Sequence, residues 1–254
     1  MKNLLFITIA LLCSVSIYAQ SYQPAVESLK YSVNYKWGLI NKQAGIVTLT
    51  THDFKDGLFK STLVGRSATW ADKFYTVRDT LMGTMMTRTM EPVFYEKVSH
   101  EGGEFRRDII KYDRTKGDSI IGNCDRWRQR KKDKEVVYSQ NLLKATGMTL
   151  DMLSSFYYMR QIDYTSMKPG DSVTTNIFSG NQVEILKITY LKNENVEIDN
   201  TNYDTYYIKF SFTSKGGQKS SDDMFAWIST DKNRIPVMLL GNLPIGSIRC
   251  YYQP

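Results

Sequence analysis

The chain has few of the residue types that build metal sites and nucleophilic active sites. Its 254 residues include two histidines, His52 and His100, and three cysteines. Neither histidine has a second histidine or a cysteine close by in the sequence, whereas a zinc site takes about three to four ligands at a recognisable spacing. The Gly-x-Ser-x-Gly turn of the α/β-hydrolases is absent as well. The sequence therefore predicts no metal site, no cofactor and no catalytic nucleophile.

Long apolar runs are missing beyond the first residues of the chain. The run from Leu4 to Ile17 is almost wholly apolar, follows the positive charge of Lys2 and precedes the small residue Ala19. It is shorter than the roughly 20 residues of a transmembrane helix, and the pattern is typical of a secretory signal peptide. We expect a signal peptide over residues 1–19 and a single β-rich domain over residues 20–254. The mature chain would then be a periplasmic or outer-membrane-associated protein of the bacterial envelope, without a transmembrane span.

Cysteine is scarce in the expected mature chain. Cys13 falls within the signal peptide, which leaves Cys124 and Cys250. Exported proteins can form disulfides, but this pair is far apart in the sequence and would need neighbouring strands. The alternative is two small buried side chains that pack as hydrophobic groups. The sequence leaves the choice between a disulfide and free thiols open.

Positive charge is in excess, with a formal net charge of +7. Export makes nucleic acid an unsuitable partner for this charge. Residues 126–134 concentrate it in the sequence Arg-Trp-Arg-Gln-Arg-Lys-Lys-Asp-Lys. Two interpretations stay open: a solvated hairpin whose charges protect a sheet edge, or a surface patch that binds an envelope protein or an anionic surface. The residues of this patch would be Arg126, Trp127, Arg128, Arg130, Lys131 and Lys132.

Apolar and polar residues alternate through most of the chain. In the first such stretch, one face carries Leu29, Tyr31, Val33, Tyr35 and Trp37. A period of two residues is typical of half-buried antiparallel strands. The pattern recurs with turns between the stretches, and residues 73–79 are among the predicted strands. It predicts an all-β, mainly antiparallel protein in which a strongly curved sheet forms a sandwich or a partly open barrel.

One segment breaks the alternation and predicts a single amphipathic helix near residues 149–160. Its larger side chains recur at helical spacing, and Thr149 or Asp151 can cap its beginning. Arg160 lies at the expected end, where a positive charge suits the helix dipole. We expect this helix to pack on or inside the curved sheet.

Several short motifs together resemble the bacterial family called domain of unknown function 3108. Tyr35-Lys36-Trp37-Gly38 is similar to its opening motif, and Asp151 to Arg160 resembles its central segment. Lys168-Pro169-Gly170-Asp171 is similar to the turn that follows, and Arg234-Ile235-Pro236 to part of its closing block. The resemblance covers nearly all of the mature chain. It implies an exported, mostly β domain with no established activity, and it offers no catalytic residues to transfer.

Aromatic residues offer the best opening for a binding function. A pocket for an apolar or amphipathic molecule is mainly apolar with a few polar groups. The candidate pocket residues are Trp37, Trp70, Phe156, Tyr157, Arg160 and Trp227. The leading hypothesis is a non-catalytic envelope protein that binds a lipid or a glycan. One alternative is an assembly protein that uses the basic surface patch, and another is a polysaccharide hydrolase with paired carboxylates about 5 to 9.5 Å apart.

Overall fold

Strands dominate the computed structural model, which describes residues 22–214, 216–218 and 221–254. The predicted signal peptide lies outside the described residues. The strands are β1 (Glu27–Trp37), β2 (Ile40–Lys55), β3 (Leu58–Ser67), β4 (Val77–Met86), β5 (Pro92–Glu101), β6 (Glu104–Lys116), β7 (Ser119–Gln129), β8 (Val137–Thr146), β9 (Thr149–Leu150), β10 (Ser172–Ser179), β11 (Gln182–Ile198), β12 (Thr201–Ser214), β13 (Met224–Ser229), β14 (Pro236–Asn242) and β15 (Ser247–Gln253). The helices are α1 (Thr69–Asp72) and α2 (Met152–Gln161), and a 3-10 turn follows at Tyr164–Ser166.

All fifteen strands belong to one sheet built from two antiparallel meanders. Strands β1 to β8 form the first meander and β10 to β15 the second, and β1 pairs with β15 to join them. The short strand β9 adds to β10 in parallel. The sheet is nearly closed and barrel-like, as the alternation predicted. Of the two predicted shapes, the structure selects the partly open barrel.

The two ends of the sheet meet through side chains. Phe178 on β10 packs on Gly122 of β7, where a Cβ atom would lie 2.5 Å from the phenyl ring. The same ring stacks on Tyr112 with centroids 5.6 Å apart. Nearby, the Asn176 side chain donates a hydrogen bond of 3.0 Å to the carbonyl oxygen of Thr146 at the end of β8. A glycine at position 122 is therefore what allows the barrel to close.

Helix α2 packs against the inner face of the barrel. The hydroxyl of Tyr157 lies 2.6 Å from the hydroxyls of both Thr51 and Ser61, which are on the inner face of β2 and β3. The ring of Tyr157 also contacts Phe59 edge-on, with centroids 5.1 Å apart. The predicted amphipathic helix thus lies inside the curved sheet and fills part of its interior.

The helix begins later than its sequence pattern predicts. Thr149 and Leu150 form β9 instead of the first helical turn, because they pair with β10. Asp151 is the N-cap residue, and its carboxylate accepts hydrogen bonds from the backbone N–H groups of Leu153 and Ser154. The Ser154 hydroxyl accepts one in return from the Asp151 N–H, which completes a capping box. Arg160 lies in the last turn, as predicted.

The side chain of Arg160 is completely buried where α2 meets the beginning of β1. Its guanidinium donates two hydrogen bonds to the Glu27 carboxylate, one of them 2.9 Å long. It also donates to the carbonyl oxygens of Asn233 and Arg234, at 2.8 and 3.1 Å. The ring of Tyr22 covers it, 4.2 Å from the guanidinium carbon. The charge is therefore fully paired, as a buried cation must be. This end of the barrel is called the closed end below.

Candidate functional site

An apolar cavity of about 580 Å³ lies at the opposite end of β1. Its wall includes Val33, Tyr35 and Trp37 of β1, together with Val47 of β2 and Ile248 of β15. The volume is within the range of about 300 to 1,000 Å³ that is usual for small-molecule sites. This end is called the open end.

Two glycines create the space of the cavity. Gly65 on β3 lines it, and a Cβ atom there would meet only Val47, at an ordinary contact distance of 3.6 Å. Gly45 on β2 is packed differently, because its Cβ would lie 2.7 Å from the carbonyl oxygen of Arg66. The pairing of β1 with β2 shifts register between Val33 and Asn34, close to Gly45. Gly45 thus allows β2 to approach β3 closely, while Gly65 keeps the cavity wall free of a side chain at its position.

The segment after β3 forms a second wall of the cavity. Trp70 of α1 donates its indole N–H to the carbonyl oxygen of Gln43, at 2.7 Å. Phe74 contacts Trp70 edge-on with centroids 6.4 Å apart, and the Lys42 ammonium lies 4.7 Å from the Trp70 ring centroid. The sequence predicted a strand over residues 73–79, which is wrong in its first part: residues 73–76 follow α1, and β4 begins at Val77. The hydrogen bond from Trp70 holds this helical turn against β2.

A smaller polar cleft of about 280 Å³ adjoins the apolar cavity, and Tyr75 lines both. Its other residues include Ser99, Glu101, Glu104, Arg106 and Lys131. Both of these carboxylates have ionic partners. The Glu101 carboxylate lies 3.2 Å from the Lys97 ammonium, and the Glu104 carboxylate lies 3.3 Å from the Arg128 guanidinium. Arg106 and Lys131 supply positive charge to the same cleft. An apolar space beside a charged one suits a molecule with an apolar part and a polar head.

Asp79 and Glu101 are neighbouring acidic groups at this cleft. Burial, followed by the hydrogen bond with Glu101, raises the pKa of Asp79 to about 7, while Lys97 opposes the shift. The Lys97 ammonium lies 3.7 Å from the Asp79 carboxylate and 3.2 Å from the Glu101 carboxylate, so both acidic groups belong to one ion-pair cluster. This pair therefore gives no support to the polysaccharide-hydrolase alternative, which stays a prediction.

The predicted pocket residues separate into two groups. Trp37 and Trp70 line the apolar cavity. Phe156, Tyr157 and Arg160 lie on α2, where Tyr157 and Arg160 belong to the closed end and the Arg160 guanidinium carbon is 5.7 Å from the centroid of Phe156. These three contribute to packing and ion pairing and do not line the cavity.

Trp227 lies outside the cavity as well. Its ring stacks on Tyr207 with centroids 4.5 Å apart, and its indole N–H donates to Glu194 at 2.7 Å. It packs with Ile198 and Val237, on the side of β13 opposite to Ala226. The cavity residues that sequence reasoning missed include the aromatic residues Tyr35, Phe74 and Tyr75, and the others are mostly small or aliphatic, so their composition does not distinguish them from core residues.

The basic segment is largely neutralised where it forms part of β7. Arg126 pairs with the buried carboxylate of Asp108 at 3.0 Å, and Arg128 pairs with Glu104. The rings of Trp127 and Tyr138 contact each other at a tilted angle, with centroids 5.1 Å apart.

The remaining residues of the segment are exposed. Arg130, Lys131 and Lys132 follow β7 and face solvent, and Lys131 reaches the polar cleft. The proposed surface patch is therefore reduced to the turn after β7.

Cys124 and Cys250 are free thiols. They lie on β7 and β15, which are not neighbours in the sheet. Burial raises the pKa of both thiols to about 11. Of the two alternatives left open by the sequence, the structure shows two packed side chains and no disulfide.

Two features are absent from the described residues. No group of three or more His, Cys, Asp and Glu side chains is arranged there to hold a metal ion. In the same ranges no helix combines the length and the apolar character needed to cross a bilayer.

The fold and the cavity together define a β-barrel-like protein with an open apolar end. One similar structure is described as a β-barrel-like protein of domain of unknown function DUF1849 from Brucella abortus. It superposes with a TM-score of 0.59 over 89% of this chain and 94% of that one, at 10% sequence identity, which is a likeness of fold alone. The chain belongs to the family described as "Protein of unknown function (DUF3108)", whose profile matches residues 30–252. No curated protein matches.

Proposed function

We propose that the protein is a non-catalytic binding protein of the bacterial envelope that holds the acyl chain of an amphipathic lipid. The observation that carries the proposal is the apolar cavity of about 580 Å³ at the open end. Its wall consists mainly of aliphatic and aromatic side chains, whereas a glycan would need many hydrogen-bonding groups. The apolar run over Leu4 to Ile17 supports export to the periplasm or the outer membrane.

The polar cleft gives the ligand an orientation. Tyr75 lines both spaces, so a chain that fills the apolar cavity can extend its head into the cleft. Glu101 and Glu104 are paired with Lys97 and Arg128 there. Arg106 and Lys131 are the cations that face an anionic head group, such as a carboxylate or a phosphate.

The length of the acyl chain provides the first test. Each methylene that leaves water contributes about 0.8 kcal/mol, which corresponds to about a fourfold gain in affinity. We expect the dissociation constants of saturated fatty acids to fall by about this factor per methylene until the cavity is filled, and then to level off. Isothermal titration calorimetry on protein freed of lipid measures the series. Equal affinities for short and long chains would contradict acyl binding.

A cavity-filling variant provides the second test. Gly65→Leu places a side chain in the cavity without backbone strain, since the Cβ has room. We expect it to abolish fatty-acid binding. Val64→Leu is the matched control, because Val64 is the adjacent residue and its side chain points to the other face of β3. Native mass spectrometry of the three proteins with a long-chain fatty acid reports the bound fraction. Undiminished binding in Gly65→Leu would place the ligand elsewhere.

A further inference from the structure

The mouth of the cavity is surrounded by large apolar side chains that point into solvent. The exposed fractions are 106% for Leu39, 83% for Phe74 and 61% for Ile245. These residues come from three different connections: the turn between β1 and β2, the segment after α1, and the turn between β14 and β15. Trp37, Ile40 and Leu243 lie beside them with exposed fractions of 54%, 45% and 42%. These six residues are called the apolar rim.

Hydrogen bonds hold the three connections at one edge of the barrel. The hydroxyl of Tyr35 donates to the carbonyl oxygen of Ile245 at 3.1 Å, which ties the β14–β15 turn to β1. The indole of Trp70 donates to Gln43, which ties α1 to β2. Four rim residues also line the cavity itself: Trp37, Ile40, Phe74 and Leu243. The apolar rim is therefore one surface, and the cavity opens within it.

The charge around the rim is positive. Lys36, Lys42 and Lys73 are exposed in the same segments. Within residues 36–43, 68–75 and 242–247 the sequence has a single acidic residue, Asp72. Its carboxylate is occupied by Arg78, at 2.7 Å. Exposed apolar side chains bordered by lysines are the combination that binds at an anionic membrane surface.

We infer that the apolar rim docks on the surface of an anionic lipid bilayer. The rim side chains project from separate turns around an open cavity, which suits insertion between lipid head groups better than contact with a flat protein surface. The inference rests on the proposed function, because the bilayer would supply the acyl chain that enters the cavity. With the apolar rim inserted between the head groups, the mouth of the cavity would lie next to the acyl chains of the bilayer lipids.

Vesicle flotation tests the inference directly. We expect the purified protein to float with vesicles that contain phosphatidylglycerol, to bind less to vesicles of phosphatidylcholine alone, and to lose binding as salt is raised. The triple variant Leu39→Ser, Phe74→Ser and Ile245→Ser should reduce the vesicle-bound fraction by about tenfold.

The matched control places the same three substitutions elsewhere, at exposed apolar residues of and near β8. Val136, Val137 and Leu142 have exposed fractions of 47%, 62% and 58%, and their serine variants should bind vesicles like the original protein. Equal loss in both triple variants would overturn the inference. Undiminished vesicle binding in the rim variant would also overturn it. The same holds if the rim variant changes only the oligomeric state of the protein, as measured by light scattering.

Two further arms separate this inference from the proposed function. The double variant Leu39→Ser and Ile245→Ser should lose vesicle binding and still bind a dissolved short-chain fatty acid, because neither residue lines the cavity. Conversely, Gly65→Leu should still float with anionic vesicles although its cavity is filled. If the original protein floats with vesicles but does not bind fatty acid, the membrane inference stands and the proposed function is refuted. If it binds fatty acid but does not float with vesicles, only the membrane inference is refuted.

Discussion

The two ends of β1 have the same alternating pattern and opposite surroundings. At the closed end Leu29 and Tyr31 are each 3% exposed and belong to the same buried cluster as Leu153 and Tyr157 of α2. At the open end Trp37, on the same face of the same strand, is 54% exposed. Helix α2 fills one end of the barrel, and nothing in the described chain fills the other.

We expect the closed end to determine stability and the open end to determine binding. Buried hydrogen bonds, a buried ion pair and a capped helix occupy the closed end, so substitutions there should be costly. The open end has few such contacts and is lined by the apolar cavity wall. Substitutions there should change binding and leave stability almost unchanged.

The largest expected effect is at the buried ion pair. Glu27→Ala leaves the fully buried Arg160 guanidinium without its carboxylate, and we expect a loss of about 3 to 5 kcal/mol in the free energy of unfolding. Urea denaturation measures it. Glu104→Ala is the control, because the side chains of Glu104 and Arg128 are 40% and 37% exposed and such pairs contribute about 0 to 1 kcal/mol. If both variants lost the same free energy of unfolding, the buried ion pair would be no more important for stability than the exposed one, which contradicts the prediction.

The next effect concerns the hydroxyl of Tyr157. Tyr157→Phe removes the partner of both Thr51 and Ser61 in a buried site, with an expected cost of about 1 to 3 kcal/mol. Tyr158→Phe, at the neighbouring half-buried residue, should cost less. Thermal denaturation followed by circular dichroism compares the two. A larger loss of stability in Tyr158→Phe than in Tyr157→Phe would contradict a stabilising contact between the Tyr157 hydroxyl and the inner face of the barrel.

A pH dependence follows from the helix cap. Complete burial raises the pKa of Asp151 from its ordinary 3.8 to about 6, although hydrogen bonds from Ser154 and Leu153 oppose the shift. The folded state then binds a proton more tightly than the unfolded state, so this group destabilises the fold as pH rises from about 4 to about 6.

Asp151→Asn keeps an acceptor for the cap and removes the charge. Relative to the original protein, the Asn variant should gain up to about 3 kcal/mol in the free energy of unfolding between pH 4 and pH 7. Urea denaturation at several pH values reveals the change. A difference in the free energy of unfolding that stays constant from pH 4 to pH 7 would contradict the raised pKa of Asp151.

The smallest expected effect on stability is at the open end. Trp37→Ser should change the free energy of unfolding by about 0.5 kcal/mol or less, since the side chain is mostly exposed. The same substitution should weaken fatty-acid binding by about tenfold, because it removes apolar wall from the cavity. Calorimetric binding and urea denaturation of one preparation give both values. A large loss of stability would show that the open end supports the fold.

The sequence predicts the fold well because alternation is a local property. The face of β1, the curved antiparallel sheet and α2 with its Asp151 cap all follow from residues close together in the chain. The pairing of Arg160 with Glu27 joins residues 133 positions apart, and no local pattern marks it. The short helix α1 has only four residues, too few for a helical period.

The sequence predicts only part of the candidate site, because local patterns do not show which elements come together in space. Periodicity shows which face of a strand is apolar, but what covers that face depends on distant elements. Phe156 and Tyr157 looked like pocket residues and belong to a helix that fills the closed end. Trp37 looked the same in the sequence and lines the cavity, because nothing in the described chain covers its end of the strand.

Quenching of tryptophan fluorescence by a brominated fatty acid shows which tryptophans lie beside a bound acyl chain. The described chain has four tryptophans, of which Trp37 and Trp70 line the cavity while Trp127 and Trp227 lie elsewhere. We expect saturable quenching that disappears in the double variant Trp37→Phe and Trp70→Phe and persists in the double variant Trp127→Phe and Trp227→Phe. Quenching that follows Trp127 and Trp227 instead, or none at all, would contradict an acyl-binding open end.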